Sequence, residues 1–440
     1  MAMTAASPET ASPDQENGLV WTLWVMMAAF GSYFCMYGFR KPFTAARFDD
    51  TVVLGMGFKT VLVTSQVAGY MLSKFLGIKI IAELPPQKRA VTILGLILSA
   101  EVALILFGVL PRPWNAVCLF FNGLPLGMTF GLILGFLEGR RQTELLAAGL
   151  CTSFILADGV TKTVGKWLLL NGVPEDWMPS IAGGLFLTPL FVFVAMLTRI
   201  SPPSSRDIAA RSERSTMSRD VRRSFLSRHA YGLVPLLLLY LSVTIVRSIR
   251  ADFAPEIWQG LGRSIAPGTF TSTETLVALG VLALNGGAIL IRNNRHAFFA
   301  ALATCGLGVV LLTAALLAYS DHRIGGYSFM VLLGLGLYLP YVAMHTTVFE
   351  RLLGMTREQG NVGFLMYLAD SVGYLGYVIV MIARNFLPVM FDILTLLTIT
   401  CWATVGLSCL CLLASWRYFA RLKSPQAARA QETATAGMIS

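Results

Sequence analysis

Two arginines stand inside apolar runs long enough to cross a bilayer. Arg40 lies in the stretch Tyr33-Phe34-Cys35-Met36-Tyr37-Gly38-Phe39-Arg40-Lys41-Pro42-Phe43, within a run that opens at Trp21 and fades near Phe48. Arg247 ends the stretch Tyr240-Leu241-Ser242-Val243-Thr244-Ile245-Val246-Arg247, with Asp252-Phe253-Ala254-Pro255 just beyond. Each arginine follows a tyrosine by seven residues. About 20 apolar residues cross the hydrocarbon core, and a guanidinium at its centre costs at least ~3 kcal/mol on insertion scales. Such a residue faces a polar interior and a partner, not lipid. Two of them in matching places restrict the chain to a polytopic membrane architecture.

Composition agrees. The 440 residues are 55% hydrophobic and 13% charged, where soluble domains carry about 25% charged residues. The formal net charge of +10 is loop arginine, as expected where positive loops stay on the inner side, so the bilayer is the expected partner and nucleic acid is not. Seven cysteines without a CxxC pair read as small buried hydrophobes, and neither metal nor cofactor is expected. The first eighteen residues contain no lysine or arginine and no cleavable signal pattern, so the first run is a retained span. No zinc spacing, phosphate-binding glycine loop or nucleophile elbow occurs. An enzyme is not expected, and any active transport is secondary.

Apolar runs predict spans near 19–47, 52–78, 90–110, 114–138, 144–171 and 180–199, then 230–254, 272–291, 296–319, 325–350, 361–384 and 390–415. The expected organisation is a tail (1–18), a six-helix bundle (19–199), a basic linker (200–229), a second bundle (230–415) and a tail (416–440). Arg206, Arg211, Arg214, Arg219, Arg222, Arg223 and Arg228 make the linker either a basic amphipathic segment on the membrane surface or a solvated connection. Even-numbered gaps carry Lys79, Lys88, Arg89, Arg140, Arg141, Arg292, Arg295, Arg351 and Arg357, whereas odd-numbered gaps carry few. Both termini and the linker are therefore expected to be cytoplasmic, in the cell's inner membrane.

The halves repeat. Leu156-Ala157-Asp158-Gly159-Val160 returns as Leu368-Ala369-Asp370-Ser371-Val372, and Glu138 returns as Glu350 at the same offset. Arg40 and Arg247 fall within a few residues of that register. A six-span unit used twice in parallel is the plan of major facilitator carriers. The expected fold is thus all-α and polytopic, with twelve transmembrane helices in two six-helix halves.

The chain resembles the major facilitator superfamily and, within it, the organophosphate:inorganic phosphate antiporters. The resemblance rests on Tyr37 with Phe39-Arg40-Lys41-Pro42-Phe43, on Ser73-Lys74-Phe75, and on Arg247 with Asp252 and Pro255. It implies that Arg40 and Arg247 hold a substrate phosphate with Lys74 nearby. In place of that family's fifth-span histidine stand Asp158, Lys162 and Lys166 at i, i+4, i+8 spacing. Guanidinium forks suit phosphate or carboxylate and do not deprotonate on burial, so a small anionic solute is the expected partner of a monomeric carrier. The competing reading of Arg40 and Arg247 is a pairing with intramembrane carboxylates that only fixes packing.

Tyr37 lies within a turn of Arg40 and joins the candidate site. Asp158 and Asp370 are candidates for carrying a proton. Asp158 is equally well read as a structural partner of Lys162, and Asp370 needs a partner from another helix. Glu138 and Glu350, beside loop arginines, read as gate salt bridges. Arg250 reads as structural, neutralised by Asp252 or a headgroup, and His345 as packing or relay. Three functions stay open: exchange of phosphorylated metabolites, proton symport of a sugar acid or other carboxylate, and a carrier-like sensor that does not transport.

Overall fold

A computed structural model of the chain describes residues 18–137, 143–201, 219–262, 266–289, 291–356, 362–384 and 392–422. Within them run α1 (Leu19–Tyr37), α2 (Phe58–Glu83), α3 (Arg89–Val109), α4 (Ala116–Leu137), α5 (Thr143–Leu170) and α6 (Met178–Thr198). The second half holds α7 (Arg219–Arg228), α8 (Ala230–Asp252), α9 (Ala254–Gly260), α10 (Gly268–Ile289), α11 (Asn294–Ser320), α12 (Gly326–Thr356), α13 (Val362–Ala383) and α14 (Ile393–Arg421). Among the described residues, ten helices are long and apolar enough to cross a membrane. The two long helices outside that set are α2 and α10, which bury Lys59, Gln66, Ser73 and Lys74, and Thr273, Glu274 and Asn285. Their polarity belongs to the seam between the halves.

Packing repeats as the sequence does. In the first half α2 lies along α4, α3 against α4 and α6, and α1 against α5 and α6; in the second, α10 lies along α12, α11 against α12 and α14, and α8 against α13 and α14. The halves meet along α2–α13 and α5–α10. The α2–α4 crossing is so close that a Cβ on Gly69 would stand 2.1 Å from the Phe120 carbonyl oxygen, and one on Gly123 2.0 Å from that of Gln66. Small residues at such crossings let backbones touch where no hydrophobic force drives helices together.

The first span is shorter than the apolar run suggests. Helix α1 stops at Tyr37, Gly38–Lys41 form a turn, and Pro42–Ala45 make one 3-10 turn. Proline has no N–H and its ring clashes with the carbonyl four residues earlier; Pro125, Pro189, Pro235 and Pro340 are nonetheless carried inside helices, whereas before Pro42 the chain leaves the helix. A small hairpin follows, β1 (Val52–Val53) paired with β2 (Met56–Gly57), and α2 begins at Phe58 instead of residue 52. Its tip, Leu54 and Gly55, takes positive φ values of 51° and 78°. Helix α12 widens into a π turn at Met344–Val348, a form common at functional sites. The expected linker lies mostly outside the described residues. At its end α7 turns Phe225 into the core and leaves Arg223 and Arg228 exposed. Glu138 lies outside the described residues.

Candidate functional site

Successive long helices alternate in direction, so side chains along the seam fall into layers. We call the face where α6 ends and α7 begins the linker face, and the other the hairpin face.

The central layer holds both arginines. Arg40 sits in the turn after α1, and that backbone is held from inside the protein. Gln66 Nε2 donates to the Arg40 carbonyl (3.0 Å) and to Asn122 Oδ1 (2.7 Å); Asn122 Nδ2 donates to the carbonyls of Phe39 (3.0 Å) and Ala100 (3.1 Å). Non-helical backbone at membrane depth survives where the protein supplies such partners. The Arg40 Cζ lies 3.8 Å from the Tyr70 ring centroid, 5.6 Å from Tyr37 and 5.8 Å from Tyr374. From α8, Arg247 Cζ lies 4.3 Å from the Tyr341 ring and 5.8 Å from Tyr338, and its Nη2 donates to Tyr374 Oη at 3.3 Å. Tyr374 thus meets both guanidiniums, which are 4% and 5% exposed.

Among the described residues, neither arginine has a carboxylate within ion-pair distance. Among the described residues, every other buried lysine or arginine does: Lys41 with Asp252 and Asp158, Lys59 with Glu256, Lys74 with Asp370, Lys162 with Asp158, and Arg250 with Glu274. The Nε of Arg40 and of Arg247 have no hydrogen-bond partner among the described residues. A buried ion carries a desolvation penalty of several kcal/mol, and a cation over an aromatic face recovers about 2 kcal/mol when desolvated. The tyrosine faces therefore offset part of the penalty and leave the rest for an anion.

Toward the linker face, Lys74 Nζ lies 2.8 Å from Asp370 Oδ2. Tyr240 donates to Asp370 Oδ1. His345, in the π turn, places Nε2 3.4 Å from that same oxygen and Nδ1 3.0 Å from the Tyr341 carbonyl. Toward the hairpin face, Lys41 joins Asp252, with Asp158 Oδ1 at 3.6 Å, and Lys162 binds Asp158 one turn along α5. Tyr377 Oη donates to Asp252 at 3.0 Å. Beyond them Lys59 donates to Glu256 at 2.7 and 2.9 Å and to the Thr44 carbonyl at 2.8 Å. The pairs Lys41–Asp252, Lys59–Glu256 and Lys74–Asp370 each join the two halves.

Of the expected site residues, Arg40, Arg247 and Tyr37 lie together in the central layer, and Lys74 lies one turn beyond Tyr70 but is engaged by Asp370. Asp158 has both Lys162 and Lys41. Arg250 is not neutralised by Asp252: its Nη2 reaches Glu274 at 2.8 Å and the Met330 carbonyl at 3.0 Å, because Asp252 turns to Lys41 of the other half. Lys166 is half-buried with no ion pair among the described residues, and Glu350 is half-buried just past the π turn. The sequence reading gave no role to Tyr70, Tyr240, Gln66, Asn122 and Glu274, and left Tyr341 and Tyr374, which could line a cavity, off the site as tyrosines of a kind common at helix contacts. A signal for two existed: Tyr70 precedes Lys74, and Tyr374 follows Asp370, by one helical turn.

Three comparisons bear on this arrangement. The sequence profile of a family of unknown function (DUF5690) matches residues 42–422. No curated protein matches the chain. Among solved structures, the crystal structure of a D-xylose-proton symporter superposes with a TM-score of 0.61 at 12% identity, covering 90% of this chain and 97% of that one. At that identity the likeness is one of fold: the chain is an all-α polytopic protein with the major facilitator architecture.

Proposed function

The chain belongs to the family of unknown function DUF5690, and for it we propose secondary transport of a small organic anion, clasped at mid-membrane between Arg40 of one half and Arg247 of the other. One observation carries this reading: these are the buried cations without a carboxylate among the described residues, and they converge from opposite halves on Tyr374. A purely structural pair would be neutralised as Lys59 and Arg250 are. An excess of two positive charges in a closed, tyrosine-lined centre suits a solute with two negative charges, a phosphate ester or a dicarboxylate, and guanidinium forks suit both. Rocking of one half against the other along α2–α13 and α5–α10 would open the centre to each side in turn, as repeat-built carriers do. Exchange of a phosphorylated metabolite for phosphate is the substrate reading that the motifs around Arg40, Lys74 and Arg247 favour.

The test is exchange in liposomes loaded with radiolabelled phosphate, with external organophosphates and dicarboxylates offered in turn. The expected result is exchange with a phosphorylated solute, lowered at least ~100-fold by Arg40→Lys or Arg247→Lys, since lysine keeps the charge but not the fork. Binding without flux would replace transport by sensing. Exchange unchanged in both variants would remove the clasp.

A further inference from the structure

Two walls of aromatic rings join the arginines. One is short: the Tyr70 ring carries Arg40 at 3.8 Å and meets the ring of Tyr374, whose hydroxyl accepts from Arg247, at 5.0 Å. The other is longer and turns on Phe154. From Tyr37 beside Arg40 it runs to Tyr33 at 5.5 Å and from Tyr33 to Phe154 at 6.4 Å. Phe154 then meets Tyr341 at 5.7 Å and Tyr338 at 6.2 Å, the two rings that face Arg247. Phe154 stands on α5 one turn before Asp158, on the same helical face, and is 4% exposed. It is the link at which this wall crosses from the first half to α12 of the second.

We infer that the transported anion has a flat, unsaturated body, an aryl or enol phosphate instead of a polyol phosphate, and that Phe154 sets this specificity by receiving the face of that body. This rests on the transport reading above and narrows its substrate class. A polyol brings several hydroxyls out of water, and each one left unpaired on burial weakens binding about tenfold. Around the centre, Gln66 and Asn122 hold backbone carbonyls. Asp158, Asp252 and Asp370 hold lysines, and Glu274 holds Arg250. Two phenols are engaged likewise, Tyr240 with Asp370 and Tyr377 with Asp252. With these groups occupied, the arginines are joined by ring surface, which favours another ring in offset-stacked or edge-to-face contact. The Phe154 plane lies 35° from that of Tyr338 and 86° from that of Tyr341. A flat guest parallel to Phe154 would therefore meet Tyr341 edge to face. A planar body is also thinner than a saturated ring of the same size, so the halves part less to admit it. The guanidinium forks take the phosphate, and the ester oxygen carries the body toward Phe154.

The experiment titrates phenyl phosphate, cyclohexyl phosphate and glycerol phosphate into the purified full-length protein by calorimetry at about pH 8, where each ester is a dianion. Headgroup and charge are then constant, and only the body differs: a flat ring, a saturated ring or a polyol. In wild type phenyl phosphate is expected to bind about fivefold tighter than cyclohexyl phosphate, the size of a good aromatic contact, with glycerol phosphate weaker again. In Phe154→Leu the phenyl-to-cyclohexyl ratio is expected to fall to near one; in Phe154→Tyr, which keeps the ring, it should persist. That ratio separates recognition from damage, because a disturbed fold weakens both esters alike. A wild-type ratio near one, glycerol phosphate as the tightest ligand, or a ratio unchanged in Phe154→Leu would overturn the inference. Each of these, with binding that still needs Arg247, leaves the transport reading intact. No binding of any of the three esters by wild type would count against both.

Discussion

The Arg40 guanidinium is placed by residues that never touch it. The turn Gly38–Lys41 leaves carbonyls of Phe39 and Arg40 outside any helix, and Asn122 and Gln66 receive them. Asn122 is the joint: it donates to Phe39 and Ala100, on either side of the gap between α1 and α3, and accepts from Gln66. A buried polar group stripped of its partner costs about 1–3 kcal/mol, so Asn122→Leu, which keeps the branched skeleton but not the hydrogen bonds, is expected to lower the thermal midpoint in detergent. It is also expected to weaken phosphate binding about tenfold, since loss of ~1.4 kcal/mol in arginine placement is a factor of ten. Calorimetric titration of phosphate on the variant gives the answer. An unaltered affinity would mean that the turn is held by its Pro42 end alone.

At the scale of helices, two glycine crossings look alike but have different consequences. Gly69 and Gly123 close α2 onto α4 inside one half, and a side chain there breaks the half. Gly159 closes α5 onto α10 across the seam: a Cβ would meet the Phe270 carbonyl oxygen at 2.6 Å and Glu274 Cβ at 2.8 Å. Gly159→Val is expected to fold, to bind phosphate, and to stand open on the hairpin face. Thr163, whose hydroxyl donates to the Pro267 carbonyl at 2.6 Å in this same seam, gives the readout. A cysteine placed there should react with a membrane-impermeant maleimide several-fold faster in the Gly159→Val background, while flux is lost; equal labelling would show that the seam does not open there. These elements also show what the sequence made legible. The twofold repeat and the two arginines were readable because a charge in an apolar run stands out and an offset can be checked by eye. The end of α1 was not, because hydrophobicity runs on through Pro42 to Phe48 while the backbone stops obeying the helix. Arg250 was matched to Asp252 because sequence offers near neighbours, whereas its partner Glu274 arrives from another helix. The tyrosine faces around the arginines were hidden in a residue type common at helix contacts.

For the whole molecule, the layers define a sequence of openings. The anion layer lies between a linker-side bridge, Lys74–Asp370, and hairpin-side bridges, Lys41–Asp252 and Lys59–Glu256, all of which join the halves. Opening either face means breaking buried ion pairs, and alternating access follows if one set breaks only while the other holds. Removing one partner of a buried pair costs about 3–5 kcal/mol because the survivor is left charged, while removing both is often near neutral. The survivors here are not equal. In Asp252→Asn, Lys41 keeps Asp158 at 3.6 Å; in Lys41→Gln, Asp252 keeps the hydroxyl of Tyr377 at 3.0 Å but, among the described residues, no cation within ion-pair distance. Lys41→Gln is therefore expected to lower stability more than Asp252→Asn, and the double variant should recover much of the loss. Thermal midpoints of the three proteins test this order. With the bridge absent but both halves folded, the hairpin face should open more readily, so the double variant is expected to release bound phosphate faster than wild type at equal pH. The Lys59–Glu256 bridge remains in that variant, so the rise should be smaller than when both hairpin-side bridges are neutralised. Equal release rates across these proteins would mean that the hairpin side is held shut by packing along α5–α10 and not by charge.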